Sequence, residues 1–362
     1  MSVLTPRYGR LLGDFTVGAT YQHPWEVTID EGMVALFAAS FQDAMPLFAS
    51  NAFAQAMNFP SRPLHPLLCL NLALSFSVHD VSEQAIAHLA YLDVRFPDAG
   101  FVGDTVTARS TVIDVRTASS GDKGVVHVRT ALEETNGRVL CIFERKALIR
   151  AGHSESSLLV ASDAYAVPPL VEVHELPVEF ARVTPPHRPA RFGRYWEDFS
   201  VGQTFAHGIG HTIGESEHMQ LTTILRNSHP LHFDQLYCAD HSFTKERVVY
   251  GGLVFAWTAA ASSRDLAGQA VWDLQYRQGA HPASVAAGDT IYAASRILAL
   301  TDRGMLGAVT TTLVGLKNIT ARAAVERYGE ALFAEELLKK EHKIGEKVFE
   351  IQRTMLVQKR PA

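Results

Sequence analysis

Residues 193–204 read "GRYWEDFSVGQT", and residues 9–20 read "GRLLGDFTVGAT". Both fit the frame G-R-x-x-x-D-F-[TS]-V-G-x-T, so that Asp198 repeats Asp14 at a distance of 184 residues. Self-similarity at a fixed spacing indicates a structural unit that is used more than once. The chain therefore contains one module twice.

The repeat continues to the end of both copies, and one copy is longer. "GDT" at 103–105 recurs at 288–290, 185 residues later, and Arg145 in "ERKALIR" is matched by Arg353 in "QRTMLVQ", 208 residues later. The later copy therefore carries about 23 extra residues before its last strand. Residues 321–343 are rich in Ala, Glu, Leu and Lys and predict an inserted helix there.

Each copy predicts the same order of elements. "TIDE" (28–31) and "TIGE" (212–215) have the spacing of a capping box, which predicts that a helix begins at each. A long apolar helix follows at about 65–78 and 252–265, and three or four alternating strands separated by turn residues come next. One long helix with consecutive antiparallel strands predicts an α+β fold, in which a sheet wraps around a helix.

The repeat also predicts the domain organisation. Residues 1–151 form the first module and residues 191–362 the second, so that the two make a pseudo-dimer within one chain. Residues 152–190 contain six prolines and predict an extended linker. We also expect that two such chains can associate into a homodimer.

Composition excludes several classes of protein. The chain has 362 residues, 47% of them hydrophobic, with a net charge of −5, so it lacks the basic excess of a nucleic-acid-binding protein. The most apolar run, 64–78, is too short to span a membrane, and the N-terminus lacks the basic start and apolar core of a signal peptide. Three scattered cysteines without a CxxC pair favour a reducing, cytoplasmic location over a disulfide framework.

The two copies differ where polar residues cluster. "RNSHPLHFD" (226–234) aligns with "QDAMPLFAS" (42–50), so that His232 stands where the first copy has Phe48. At the start of the long helix, Gly252 aligns with Pro66 at an offset of 186. A helix N-terminus offers unpaired N–H groups to an anion, and proline has none to offer. The sequence therefore predicts one working site, in the second module.

These residues resemble a known family. "RNSHPLHFDQ", a glycine-led apolar helix about 20 residues later and a "GDT" strand start are similar to the MaoC-like, R-specific enoyl-CoA hydratases, and most similar to the double hot-dog subgroup that contains mesaconyl-CoA hydratase. The resemblance covers both copies. It implies a double hot-dog fold and a hydro-lyase that adds water to an α,β-unsaturated acyl-CoA, with a short branched or dicarboxylic acyl group and no cofactor.

The resemblance also implies residue roles. His232 would act as acid and base, Asn227 would position the water, and Gly252 with Gly251 would form the oxyanion hole. The broad family usually has aspartate at the position of Asn227, and an amide cannot hold a proton at neutral pH. His229 and His281 are further candidates to line the pocket.

Other interpretations of the same residues stay open. Asn227 is also suited to an Asx turn before Pro230, and Gly252 to close packing of helices. Arg226, Lys245 and Arg247 flank the site loop and are equal candidates to meet the phosphates of coenzyme A, and a solvated charged surface is the alternative interpretation of each. The dense histidines and Cys238 raise the question of a metal, but their spacing matches no common zinc pattern. The alternative functions are a longer-chain enoyl-CoA hydratase, a dehydratase of carrier-bound acyl groups, and a non-catalytic acyl-CoA-binding protein.

Overall fold

An antiparallel sheet that is continuous across both modules organises the molecule. The computed structural model describes residues 8–154, 165–170, 194–335 and 343–361. In those residues the sheet has eleven strands, in the order β1-β3-β4-β5-β2-β8-β11-β10-β9-β6, with β7 paired to β9. The strands are β1 (Thr20–Thr28), β2 (Ala85–Arg95), β3 (Thr105–Thr117), β4 (Lys123–Glu134), β5 (Val139–Arg150), β6 (Thr204–Ala206), β7 (His211–Thr212), β8 (Ala270–Ala280), β9 (Thr290–Arg303), β10 (Leu306–Lys317) and β11 (Lys347–Gln358).

The strand order is nearly a mirror image about its centre, where β2 of the first module pairs with β8 of the second. This junction is antiparallel and joins Tyr91 to Gly279 and Arg95 to Gln275. Each module would otherwise expose the backbone donors and acceptors of an edge strand at this place. The copies therefore cover each other's edges.

One largely buried helix from each module packs against the sheet. The helices are α1 (Glu31–Phe41), α2 (Pro46–Ala49), α3 (Asn51–Ala56), α4 (Pro66–Phe76), α5 (Glu215–Ile224), α6 (Gln235–His241), α7 (Gly251–Leu266) and α8 (Ala321–Tyr328). All residues of α4 are buried, in keeping with a sequence that is apolar apart from Asn71 and Ser75. It lies against α7, where the Asn71 amide donates to the carbonyl of Gly252 at 3.3 Å. The predicted α+β fold with one long helix in each module is confirmed.

The predicted capping boxes are wrong. Thr28 and Thr212 end strands, where their hydroxyls bond to threonines of the neighbouring strands rather than to a helix. Asp30 caps α1 by accepting from the amide of Met33 at 2.7 Å, and Glu217 accepts at 3.0 Å from the amide that precedes α5. The cap therefore lies two residues later than predicted, because the strand continues through the threonine.

The extra residues of the second module lie between β10 and β11. The predicted helix over 321–343 is shorter than expected, since α8 ends at Gly329, whose φ of 51° favours glycine, and a 3₁₀ helix follows over Gly329–Phe333. Residues 336–342 lie outside the described residues, as does most of the predicted linker 152–190. Among the helices that are described, none is long and apolar enough to cross a membrane.

Candidate active site

A cavity with about 600 Å³ of empty space, including its opening to solvent, lies between the modules, and both line it. The second module contributes the residues that the sequence singled out, which come from three separate segments: Asn227, His229, His232, Gly251, Gly252 and His281. The first module contributes the opposite wall, from α4, β2 and β5. Six of the seven predicted site residues therefore meet at one cavity.

His232 is held in a defined tautomer. It ends a 3₁₀ helix, Pro230–His232, and its Nδ1 donates to the carbonyl of Val248 at 2.8 Å. Nε2 is then the unprotonated nitrogen. Burial, with a smaller contribution from the neighbouring His229, lowers the pKa of His232 to about 3, so the ring is neutral at physiological pH. This arrangement suits a proton acceptor.

Asn227 and His229 build the loop that carries His232. The Asn227 Oδ1 accepts from the amide of His229 at 3.0 Å, which is an Asx turn, and the His229 Nδ1 accepts from the amide of Leu231 at 3.1 Å. Burial lowers the pKa of His229 to about 4, so this ring is also neutral. Asn227 thus makes the turn and lines the cavity at once, and the turn leaves its amide group facing Tyr250.

Gly251 and Gly252 are the first two residues of α7. The amides of Leu253 and Val254 bond to the carbonyl of Tyr250, at 2.9 Å and 3.3 Å. In the described structure, neither glycine amide has an acceptor within the protein. Two N–H groups at the positive end of a helix of 16 residues therefore stand at the cavity, and they suit an oxygen that gains negative charge.

At the equivalent position, the first module offers neither of the two open amides. Its long helix begins at Pro66, which has no N–H, and the next amide, of Leu67, is taken by the Nδ1 of His65 at 3.1 Å. The helix starts align at an offset of 185, so Gly251 matches Pro66, and Gly252 matches Leu67. The predicted match of Gly252 with Pro66 is wrong by one residue, but the predicted loss of the donors holds.

Glycine is also needed at both positions for space. A Cβ at residue 252 would lie 1.9 Å from the Asn71 Oδ1 and 2.7 Å from the Tyr250 ring, and one at residue 251 would lie 2.9 Å from the His281 Nε2. The alternative interpretation, that Gly252 permits close packing of helices, is therefore also supported. Packing and an open amide require the same residue.

The first module keeps a cavity of its own, of about 540 Å³. Phe48 stands in it where the second module has His232, and Asp43 stands in the position of Asn227. The Asp43 Oδ2 lies 3.7 Å from the His65 Nε2. Burial raises the pKa of Asp43, but His65 and Arg353 outweigh burial and hold it below its usual value.

The structure does not bring Arg226 into the main cavity. Its backbone is left-handed, with φ of 62°, and its guanidinium lies 5.8 Å from the ring of Trp25. Arg247 pairs with Glu215, and Lys245 lies at the surface. A contact between Arg226 and coenzyme A phosphates stays a prediction.

The residues that raised the question of a metal point in different directions. The Cys238 Sγ donates to the carbonyl of Leu231 at 3.3 Å, the His241 Nδ1 bonds the carbonyl of Tyr237, and Asp234 caps α6. Over the described ranges, no three His, Cys, Asp or Glu side chains are grouped to hold a metal ion.

Several residues of the cavity wall were missed from sequence, and four of them have titratable side chains. They are His88, Tyr91, Arg145 and Tyr250. The sequence did contain a signal for Arg145, since it repeats as Arg353. The contrast between His88, three residues before Tyr91, and Asp273, three residues before Tyr276, is a further signal that points to it.

The chain is similar to known hydratases and dehydratases of acyl-CoA. A family model described as mesaconyl-CoA hydratase matches residues 3–163. A β-methylmalyl-CoA dehydratase of Chloroflexus aurantiacus is 32% identical over 317 residues, covering 86% of this chain and 89% of the relative. A mesaconyl-CoA hydratase of Cereibacter sphaeroides is 31% identical over 324 residues, covering 86% and 90%.

Solved structures share the fold. A MaoC domain protein dehydratase from Chloroflexus aurantiacus superposes with a TM-score of 0.80 and 28% identity, covering 99% of this chain and all of the other. A Mycobacterium tuberculosis protein described as having a double hotdog fold superposes with a TM-score of 0.70 at 19% identity, covering 96% and 98%. The predicted double hot-dog fold and hydro-lyase class are confirmed, and the chain belongs to the mesaconyl-CoA hydratase family of MaoC-like proteins.

Proposed function

We propose that this protein reversibly adds water across the Cα=Cβ bond of a short, branched, dicarboxylic enoyl-CoA of the mesaconyl type. The observation that carries the proposal is the meeting of a neutral histidine and two open helix amides at one cavity. His232 supplies the first, and Gly251 and Gly252 supply the others. The acyl group is inferred from the relatives, which are a mesaconyl-CoA hydratase and a β-methylmalyl-CoA dehydratase.

The addition step uses the free nitrogen of His232. In the hydration direction, Nε2 accepts a proton from water while the water oxygen bonds to Cβ of the substrate. The Val248 carbonyl, which accepts the Nδ1 proton at 2.8 Å, stabilises the imidazolium that forms. The ring then returns the same proton to Cα, so that one water is consumed and His232 is unchanged. Acid–base catalysis of this kind contributes roughly 100- to 10,000-fold in rate.

The thioester oxygen gains negative charge as water adds to Cβ. The amides of Gly251 and Gly252 are placed to donate to it, and because they are fixed by the helix they need no reorganisation during the reaction. Asn227 cannot take the proton in the way an aspartate could. With its Oδ1 committed to the Asx turn, its amide is the group left to orient the water or Tyr250.

A panel of enoyl-CoA thioesters tests this function. Mesaconyl-CoA, crotonyl-CoA and a longer 2-enoyl-CoA are supplied in turn, and loss of the absorbance of the conjugated thioester is followed. We expect the highest kcat/KM for mesaconyl-CoA. Preference for the longer chain or for a carrier-bound acyl group would favour the corresponding alternative. Tight acyl-CoA binding without turnover of any substrate would favour a non-catalytic protein.

Location and assembly belong to the same proposal. Cys69, Cys141 and Cys238 are all buried free thiols, which suits the reducing cytoplasm. We propose that the enzyme works there on acyl-CoA, and that two chains can form a homodimer. Sedimentation of the purified protein would measure its mass against the 39.7 kDa of one chain.

A further inference from the structure

The main cavity contains a buried guanidinium that has no counter-ion in the part of the chain that the structure describes. Arg145, on β5, lines the cavity and is only 2% exposed. Its Nη2 donates to the hydroxyls of Ser77 and Ser82, at 2.8 Å and 3.2 Å, and its Nε has no acceptor. No carboxylate of the described residues forms an ion pair with it. A buried charge without an opposite charge is costly, so the arrangement calls for an explanation.

The second module shows the same arginine with its charge balanced. Arg353 matches Arg145 in the repeat, and each pairs across the sheet with a tyrosine, Tyr276 or Tyr91. Arg353 donates through Nε and Nη2 to the two oxygens of Asp273, at 2.7 Å and 3.0 Å. The hydroxyl of Tyr276 donates to the same carboxylate at 2.5 Å.

At the position that corresponds to Asp273, the first module has a histidine instead of a carboxylate. Asp273 lies three residues before Tyr276, and the residue three before Tyr91 is His88. Both ring nitrogens of His88 are buried and have no hydrogen-bond partner among the described residues, and the ring lies against Tyr91 with 4.4 Å between centroids and a tilt of 47°. Burial, with the charge of Arg145, lowers the pKa of His88 well below its usual value, so the imidazole is neutral and does not replace the carboxylate.

Burial lowers the pKa of Arg145 to about 10, which is still far above neutral pH, so the group remains a cation. Its position is close to the proposed chemistry. Tyr250 is near enough to Arg145 to influence its charge, and its ring centroid lies 5.5 Å from that of His232. The guanidinium and the proposed base therefore share one small cavity. A dicarboxylic acyl group could reach both at once.

We propose that Arg145, together with His88, binds the free carboxylate of the substrate, which takes the place that Asp273 fills beside Arg353. A carboxylate and a guanidinium match in geometry and form two parallel hydrogen bonds. The inference rests on the proposed function and makes it more specific. It makes Arg145 the residue that selects a dicarboxylic over a monocarboxylic enoyl-CoA.

The test compares two substrates that differ only at this group. Mesaconyl-CoA carries a carboxylate where (E)-2-methylbut-2-enoyl-CoA carries a methyl group. For Arg145→Met, we expect the ratio of kcat/KM for mesaconyl-CoA to that for the methyl analogue to fall by roughly 100-fold. Because the variant removes an unbalanced charge, its melting temperature should not fall.

Two further variants separate binding from structure. His88→Asp supplies an internal carboxylate, as in the second module, and should lower the same ratio by competing with the substrate. Arg353→Met leaves Asp273 buried and unpaired, so it should lower the melting temperature without changing the ratio. If Arg145→Met and His88→Asp reduced the rates on both substrates equally, the assignment would be overturned.

A binding measurement keeps this test separate from that of the proposed function. If the wild type hydrated neither substrate, the proposed function would fail, yet the dissociation constants of methylsuccinyl-CoA and 2-methylbutyryl-CoA could still be compared by calorimetry. Tighter binding of the dicarboxylic ligand that is lost in Arg145→Met would support the arginine assignment. Equal binding of both ligands by the wild type would refute it.

Discussion

His232 combines a hydrogen bond to a backbone carbonyl with a place in the cavity wall, and the exposed His241 of the same segment has the first feature without the second. The Nδ1 of His232 is bonded to a backbone carbonyl, and the cavity around it keeps the ring neutral. His241, nine residues later, is exposed at the end of α6 and bonds only within its own helix. Two histidines so close in sequence therefore differ in their surroundings, and His232 is the one at the proposed site.

Substitution of His232 tests its role directly. His232→Ala should lower kcat for hydration by roughly 100- to 10,000-fold, because the base is lost, while binding of a saturated acyl-CoA is kept. His241→Ala is the matched control and should keep wild-type activity. Activity of His232→Ala within tenfold of the wild type would contradict the assigned mechanism.

The low pKa of His232 predicts an unusual pH profile. The neutral ring is the active form, so activity is kept above its pKa of about 3 and is lost only as the pH falls towards that value. We expect kcat/KM to show no inflection near pH 6.5, where an ordinary histidine titrates. Steady-state rates between pH 5 and 8 would check this, and an inflection near 6.5 would contradict it.

The same shift affects stability with a definite sign. Between pH 4 and 6.5 the unfolded chain binds protons at His229 and His232 that the folded chain does not, since their folded pKa values are about 4 and about 3. The free energy of unfolding should therefore decrease as the pH falls through this window, by up to about 1.4 kcal/mol per pH unit for each histidine. Urea unfolding at several pH values measures the slope.

At the scale of elements, the two long helices differ mainly at their first turn. α7 leaves two amides open to the cavity, whereas α4 begins with a proline and uses His65 as its cap. An open N-terminus suits ligand binding, and a capped one stabilises the helix. The same element has thus been used for a site in one copy and for structure in the other.

Removal of the cap on α4 tests this division. His65→Ala should lower the free energy of unfolding by about 1 kcal/mol, because the Leu67 amide loses its acceptor. His65→Asn, which keeps a cap, should recover much of the loss. Hydration should change less than twofold in both variants, since His65 lines the other cavity. A tenfold loss of activity would show that the first module's cavity takes part in the reaction.

Elements were the level at which sequence reasoning worked best. The repeat and its apolar helices predicted the order of elements. His232 and Gly252 emerged from differences between the copies, whereas Gly251 was implied by the family resemblance. The capping boxes failed because a T-x-x-E spacing does not show where a strand ends. The predicted offset at the long helix was wrong by one residue, because the sequence does not fix the residue at which a helix begins. The cap that His65 makes on the amide of Leu67 depends on side-chain geometry, which the sequence does not show either.

The whole molecule explains what the sequence could not show. The chemical groups come from the second module, but half of the cavity wall, including Arg145, His88 and Tyr91, comes from the first. No spacing along the chain links Arg145 to His232. Their meeting depends on the pairing of β2 with β8 and on the contact between α4 and α7.

This shared construction predicts that neither module is active alone. Residues 191–362, expressed alone, should show no detectable hydration, because they lack one wall of the cavity and expose the edge of β8. Co-expression with residues 1–151 should restore measurable activity in a complex of the two pieces. Full activity of the isolated second module would contradict a shared cavity.

The different surroundings of Arg145 and Arg353 have a consequence for how such a protein can change over generations. In a dimer of identical subunits, any mutation is copied into both halves, so exchanging aspartate for histidine would strip two arginines of their partners simultaneously. After duplication and fusion of the gene, each half mutates independently. One arginine could then lose its partner and bind a ligand, while the equivalent arginine kept its ion pair within the sheet.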